Sequence, residues 1–206
     1  MGRRPLIQRE SAALAAVEII DADGPDALSL ERLATRLGVR APSLYNHFSD
    51  KDEILTEAAR QIVLSTPDHG PVVGDDWAGW LIDGALAFRS ALLAHARAVP
   101  LVVEHFPRQL LEKLYVQHCR VLGRHGVPVD WQMVILESVH RMTIGSAMCT
   151  ATGRPAMAPL TDPTEFDADL VTSMQAAHWS DEQLFADMMR LFLAGAQREF
   201  GASGPA

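Results

Sequence analysis

The chain has 206 residues, 48% of them hydrophobic and 21% charged, with a formal net charge of −8. This balance is that of a globular protein and excludes a disordered or low-complexity chain, and the length allows one or two domains with a sizeable core. The acidity excludes nucleic-acid binding along the whole surface, although a DNA-binding end on an otherwise acidic body remains compatible with it.

Ala13, Ala16, Val17 and Ile20 repeat at helical spacing and predict a first helix from Ile7 to about Asp23, closed by the breaker pair Gly24-Pro25. Leu30, Leu33, Ala34 and Leu37 give a second, short helix one apolar face, with Ser29 as its N-cap and Gly38 in the left-handed position beyond its end. Val39 and Arg40 make a tight turn. Pro42 then takes the first position of a third helix, Ala41 to Phe48, where a missing N–H costs nothing. That helix turns Leu44 and Phe48 inward and leaves Ser43, Asn46 and His47, with Tyr45 beside them, on other faces. Two short helices joined by a tight glycine turn are a helix-turn-helix, in which the second helix meets base edges in the major groove of DNA. Ser49-Asp50-Lys51-Asp52 predicts a capping box with Ser49 as cap, opening a fourth helix to about Ser65 with Ile54, Leu55, Ala58 and Ile62 as its buried stripe.

TPDHGPVVG (66–74) is rich in proline and glycine and reads as a linker. Beyond it the pattern predicts a long apolar helix over DDWAGWLIDGALAFRSALLAHARA and a short buried piece, VPLVVEHF. A further helix, PRQLLEKLYVQHCRVLGRHG, turns Leu110, Leu114 and Val121 inward, and Pro128 starts another through Trp131 to Thr152. Asp162-Pro163-Thr164-Glu165 and Ser180-Asp181-Glu182-Gln183 are two more start signals, the second opening a helix that ends near Phe200. No segment alternates as a strand. The fold class is all-α, with a helix-turn-helix unit (1–49), a connecting helix (50–65) and a larger helical ligand-binding and dimerisation domain (75–201).

Two helices are too apolar for a surface element of one subunit, and are either central core helices or contacts to a second copy. The last carries Leu184, Met188, Leu191, Phe192 and Gly195 as one stripe and Phe185, Met189 and Ala196 as a second. The helix after Pro128 carries Val134, Ile135, Val139 and Met142, then the small residues Gly145, Ser146 and Ala147. Both packed against their copies would form a four-helix bundle and a two-fold dimer, the arrangement that lets two short recognition helices read half-sites about 34–36 Å apart.

The cysteines, Cys119 and Cys149, are too few for a disulfide framework, lack metal spacing, and read as buried free thiols. No apolar run is long enough to cross a bilayer, and the opening MGRRPLIQRE has no apolar stretch after it, so a cytoplasmic protein without a membrane partner is expected. In the first segment Arg3, Arg4, Arg9, Arg36, Arg40 and Lys51 are offset by Asp21, Asp23, Asp26 and Glu31. Phosphate contacts must therefore come from a few placed cations, hydroxyls and helix N-termini.

The stretch GVRAPSLYNHFSDKDEIL, with Tyr45, His47, Phe48 and Lys51, resembles the TetR family of transcriptional regulators. From Trp77 to Gly145, through DDWAGWL, AFRSALLAH and V-H-x-x-T-I-G, the chain is similar to the regulatory core of that family's tetracycline repressors. The resemblance implies a homodimeric repressor on a palindromic double-stranded operator, released by a small-molecule effector, with no catalytic residues. The positions matching the family's DNA contacts are Ser29, Glu31, Arg40, Ala41 and Pro42, followed by Ser43, Tyr45, Asn46, His47 and Lys51. Tyr45, His47 and Lys51 fall on phosphate contacts, while Arg40, Ser43 and Asn46 are the expected base readers, arginine suiting guanine and asparagine adenine. On the ligand side, Gly84 and Val102 stand where the tetracycline repressors carry an asparagine and a metal-binding histidine. A valine cannot ligate a metal, so no magnesium–drug complex, no metal site and no cofactor are expected. Ligand-binding positions are Phe88, Val102, His105, Phe106 and Tyr115, then His118, Met133, Leu136, Glu137 and His140. Together they suggest an aromatic cavity with a few polar groups, suited to a hydrophobic effector with a hydrogen-bonding end. Glu137 on an apolar face needs a partner or a ligand cation, and a nearby histidine could supply it. Two other functions remain open from the residues alone: a metal-sensing regulator built on His95, His105, His118 and His125, and a helical enzyme using Glu137 with His140.

Overall fold

The computed structural model describes residues 8–153, 166–176 and 180–201. All regular structure among them is helical: α1 (Arg9–Asp23), α2 (Leu30–Arg36), α3 (Ala41–Leu44), α4 (Lys51–Leu64), α5 (Trp77–Ala94), α6 (Val99–Glu104), α7 (Arg108–Arg124), α8 (Val129–Ala151), α9 (Ala168–Ala176) and α10 (Asp181–Gly201). Short 3-10 turns at Pro25–Ala27 and Ala96–Ala98 join α1 to α2 and α5 to α6. The protein is all-α with an N-terminal helix-turn-helix, as the hydrophobic spacing requires. No single helix among the described residues is long and apolar enough to cross a membrane.

Local chemistry closes most helices where expected. Gly24 ends α1 at φ +86°, donating to the Ile20 carbonyl at 2.7 Å, and Gly38 ends α2 at φ +66°. A side chain would be strained at either position. The Ser29 hydroxyl accepts from Arg32 N at 3.1 Å and caps α2, a bond worth about 1 kcal/mol. At α10, Ser180 and Gln183 exchange bonds of 2.9 and 3.2 Å, completing the expected capping box. Ile7 and the start signal at Asp162–Glu165 lie outside the described residues.

Other boundaries differ from the sequence expectation. The third helix is one α-turn, Ala41–Leu44 with Pro42 second in it rather than first, continued by a tighter turn in which His47 N and Phe48 N both donate to Leu44 O at 2.9 Å. The cap of α4 is Asp50, not Ser49, and the answering acid is Glu53, not Asp52: Asp50 Oδ1 accepts from Glu53 N at 2.8 Å while Glu53 Oε2 accepts from Ser49 N at 2.7 Å. The long helix after the linker stops at Ala94. On α7, Leu114 is 44% exposed and Leu110 and Val121 are half-buried, whereas His118 and Leu122 are the residues packed inside. Cys119 is half-buried and Cys149 is exposed, so the second thiol is not a core residue.

Two apolar clusters organise the chain. The first gathers α1 to α4 around Ile20, Leu33, Leu44, Phe48, Ile54 and Ile62, and continues into Leu92, Val99, Val102 and Ala147. The connecting helix α4 is thus packed onto α6, and α1 onto the Ala96–Ala98 turn just before it. The second joins α5, α7, α8 and α10 through Trp77, Trp80, Leu122, Ile135, Phe185, Met189 and Leu193. Arg89 of α5, buried at 4% exposure, ties this layer together. Its guanidinium donates to Ser146 Oγ (2.8 Å) and Thr150 Oγ1 (2.9 Å) of α8 and to Asp181 Oδ2 (2.8 Å) at the start of α10, with the Phe185 ring 5.4 Å away.

Within one chain the apolar faces of α8 and α10 are only half covered. Phe185, Met189 and Leu193 are buried, but Leu191 is 78% exposed, and Met188, Trp131 and Val134 are exposed as well.

Candidate nucleic-acid interface and ligand cavity

Leu44 and Phe48 anchor the α3 turn from below, both essentially fully buried. Tyr45, 57% exposed, stands outside with Arg40, Pro42 and Asn46, while Ala41, Ser43 and His47 are partly covered. Ser29 and Glu31 are exposed at the start of α2, and Lys51 is exposed as the first residue of α4. Seven of the ten sequence-chosen positions lie at the N-terminal ends of α2, α3 and α4, and Tyr45, Asn46 and His47 lie in the turn that follows α3. Helix N-termini carry partial positive charge and free N–H groups, so this edge suits phosphate oxygens.

Arg9, which sequence reasoning left in a general basic tally, holds the edge in place. Its guanidinium donates to the His47 carbonyl, pairs with Glu53 Oε1 at 2.5 Å, and lies 4.5 Å above the Phe48 ring. Helix α1 is thereby fastened across the junction of α3 and α4. Hydrogen bonding from the Ser49 backbone N–H, then from Arg9, holds the Glu53 carboxyl down at about 2. The remaining cations sort themselves by partner. Arg32 pairs with Asp23 and Arg36 with Glu18, away from the α3 turn, whereas among the described residues Arg40 and Lys51 form no ion pair. Glu18, Asp23 and Glu53 are thus each paired with an arginine, while Arg40 and Lys51 stay exposed at the edge.

The second feature is a cavity of about 400 Å³ between the end of α4, the 66–70 segment, α5, α7 and α8. Six of the ten expected ligand positions line it: Phe88, Phe106, Tyr115, His118, Leu136 and His140. Four do not. Val102 is buried in the first apolar cluster, His105 caps α6, and Met133 faces out at 43% exposure. Glu137 points to the outer side of its helix, accepting from Tyr115 Oη at 2.9 Å and from Arg141 Nε at 3.1 Å, so its partner is a tyrosine and an arginine rather than a histidine or a ligand.

The cavity also recruits residues the spacing did not single out. Trp80, Gly84 and Phe88 recur at intervals of four on α5, a pattern visible in the sequence but absorbed there into a general apolar face. The Trp80 indole N–H donates to Gly70 O at 2.8 Å and fixes the linker over the cavity. Rings of His69 and His118 flank Trp80, with centroids 5.1 and 4.7 Å away. Gly84 makes room for His69, because a Cβ there would lie 2.9 Å from His69 Nε2. That nitrogen and Thr66 Oγ1 are buried without a protein partner.

Burial sets the protonation of the wall. It pushes the His118 pKa down against the raising effect of its 2.7 Å bond to Leu114 O, and pushes His140 down against the opposing pull of Glu137. Burial, reinforced by the hydrogen bond to Glu137, raises the Tyr115 hydroxyl, and that same bond lowers Glu137. Glu137 and His140 meet only through Tyr115 Oη, 3.1 Å from His140 Nδ1, which removes the direct acid–base pair. The four histidines of the metal-sensing alternative are dispersed: His95 faces Asp21 at 2.7 Å, His118 binds Leu114 O, and His125 lies 3.6 Å from Asp75. Among the described residues no group of three or more His, Cys, Asp or Glu side chains is placed to hold a metal.

Comparison with known proteins agrees with this geometry. Residues 14–58 match the family model described as bacterial regulatory proteins, tetR family. The class D tetracycline repressor protein of Escherichia coli is 27% identical over 157 residues, covering 73% of this chain and 72% of that one. A TetR-family transcriptional regulator from Streptomyces coelicolor is 30% identical with a TM-score of 0.64, over 71% of this chain and 84% of the other. Apo ActR from Streptomyces coelicolor superimposes with a TM-score of 0.80 over 98% of this chain and 100% of its own, at 18% identity, a likeness of fold alone.

Proposed function

The chain belongs to the TetR family of transcriptional regulators, and from that premise we propose that it is a homodimeric repressor whose hold on a palindromic operator is released when a small hydrophobic effector fills the cavity. The observation that carries this is the double duty of α4. Its last turn and the residues after it, Val63, Leu64 and Thr66, line the cavity, while Ile54 and Leu55 at its other end pack with Leu44 and Phe48 beneath the α3 turn. A ligand that prefers one position of α4 therefore biases the setting of the recognition element, and only differential affinity for two states can do so, with a coupling of about 1–3 kcal/mol typical. Arg40, Ser43 and Asn46 are the base-reading candidates, and Tyr45, His47 and Lys51 the phosphate contacts.

Dimerisation supplies the second recognition element. The uncovered stripe of α10 (Met188 and Leu191) beside Trp131 and Val134 of α8 is the surface two copies would share as a four-helix bundle. Both parts of the proposal are tested by selecting bound fragments from random duplex DNA, then measuring stoichiometry and affinity by sedimentation and fluorescence anisotropy. A symmetric site bound by two chains is expected, and enrichment of no sequence, or binding by a single chain, would overturn it.

A further inference from the structure

Two imidazoles of the cavity wall, His140 and His118, have their proton positions fixed by their neighbours. Glu137, ionised and 40% exposed, can only accept, so the single hydroxyl proton of Tyr115 is committed to it at 2.9 Å. The Tyr115 oxygen must then accept from His140 Nδ1 at 3.1 Å, which puts the proton of that imidazole on Nδ1. On His118, Nδ1 faces the Leu114 carbonyl at 2.7 Å and must likewise carry a proton. The His118 ring is buried and the His140 ring half-buried, a setting that disfavours the doubly protonated cation. Each Nε2 is therefore a lone pair with no protein partner among the described residues, and neither belongs to the sealed polar atoms of the core.

The rest of the lining narrows the class further. Phe88, Phe106 and Trp80 supply flat apolar surface, and the His140 ring sits 4.9 Å from Phe106. Its charged groups, Asp68 and Lys113, are exposed and of opposite sign. No interior cation awaits an anion, the Asp68 carboxylate is exposed to solvent, and that of Glu137 is occupied by Tyr115 and Arg141, so an ion entering the interior would be unpaired at high cost.

We propose that the cavity selects neutral, flat aromatic molecules whose hydroxyls donate to His118 Nε2 and His140 Nε2, in preference to anions, cations or ethers of the same shape. The inference rests on the effector cavity proposed above. Each hydrogen bond is worth about five-fold in affinity, so a diol engaging both nitrogens gains about 25-fold. Titration calorimetry on the full chain with 2,7-dihydroxynaphthalene, its dimethyl ether and 2-naphthoate tests it. The diol is expected to bind most tightly, its advantage over the ether falling about five-fold in His118→Phe or His140→Phe while ether affinity holds. His118→Gln, which keeps an acceptor, is expected to retain most of the advantage and covers the case in which a phenylalanine variant fails to fold. Naphthoate binding as tightly as the diol, no diol binding, or a diol-to-ether ratio untouched by the substitutions would overturn the assignment. A diol that binds with this selectivity yet leaves operator DNA bound would leave the ligand class standing and count against the effector role alone.

Discussion

Arg89→Met tests the packing of α5, α8 and α10 through the buried guanidinium that joins them. The substitution keeps the side-chain length and removes three hydrogen bonds, those to Ser146, Thr150 and Asp181. Breaking a buried ion pair by deleting one partner costs about 3–5 kcal/mol, because the other charge stays behind. Here the lower end applies: the Asp181 side chain is 27% exposed, keeps the Thr150 hydroxyl as a partner, and sits in the first turn of α10, where the helix dipole favours an anion. About 3 kcal/mol corresponds to a Tm fall of about 6–12 °C for a chain of this size. Thermal unfolding followed by circular dichroism, at fixed protein concentration because association would shift Tm, measures it. In Arg89→Met/Asp181→Leu the stranded charge is gone, and at least half of the loss is expected to return. A single variant within about 2 °C of the parent, or a double variant no more stable than the single, would refute the idea that an unpaired buried charge is what the mutation exposes.

Three other outcomes follow from the same geometry. Arg40→Ala and Asn46→Ala are each expected to cost about 1–3 kcal/mol on the selected DNA site and to relax discrimination at one base pair, whereas Lys51→Ala should weaken all sequences alike and lower the salt slope by about one, both read by anisotropy against salt. His118 and His140 titrate below their ordinary value in the fold, so the unfolded chain takes up more protons as pH drops through about 6.5; stability is full above that value and declines below it, and His118→Phe should flatten a urea-midpoint profile between about pH 7.5 and 5. Leu191→Glu alters a side chain that is 78% exposed within one chain, so it should leave the subunit folded by circular dichroism but shift sedimentation from dimer to monomer.

The recognition turn was legible because its determinants are local. A cap hydroxyl at Ser29, a left-handed glycine at 38 and a proline where a helix spares an N–H act within a few residues, so their spacing alone specifies where the chain bends. The α4 cap shows where locality ends. Ser49 and Asp50 are both capping residues and Asp52 and Glu53 both acids, so the motif fits in two registers; Arg9, 44 residues away on α1, holds Glu53 and selects one. Likewise Leu114 suits a buried stripe by type, but α7 is rotated to put His118 and Leu122 inside.

What the sequence determined by itself was the all-α class, the helix-turn-helix and the apolar surplus of α8 and α10, since each follows from periodicity and short-range hydrogen bonding. The tertiary structure decided which side chains meet at the cavity: it took Trp80, His69 and Gly84 into the wall, moved Val102 into a neighbouring core, and turned Glu137 outward to Tyr115 and Arg141. Helical spacing records which face a residue occupies, but what that face meets depends on how far each helix is rotated and slid against the others, and that is set by the packing of the whole core at once.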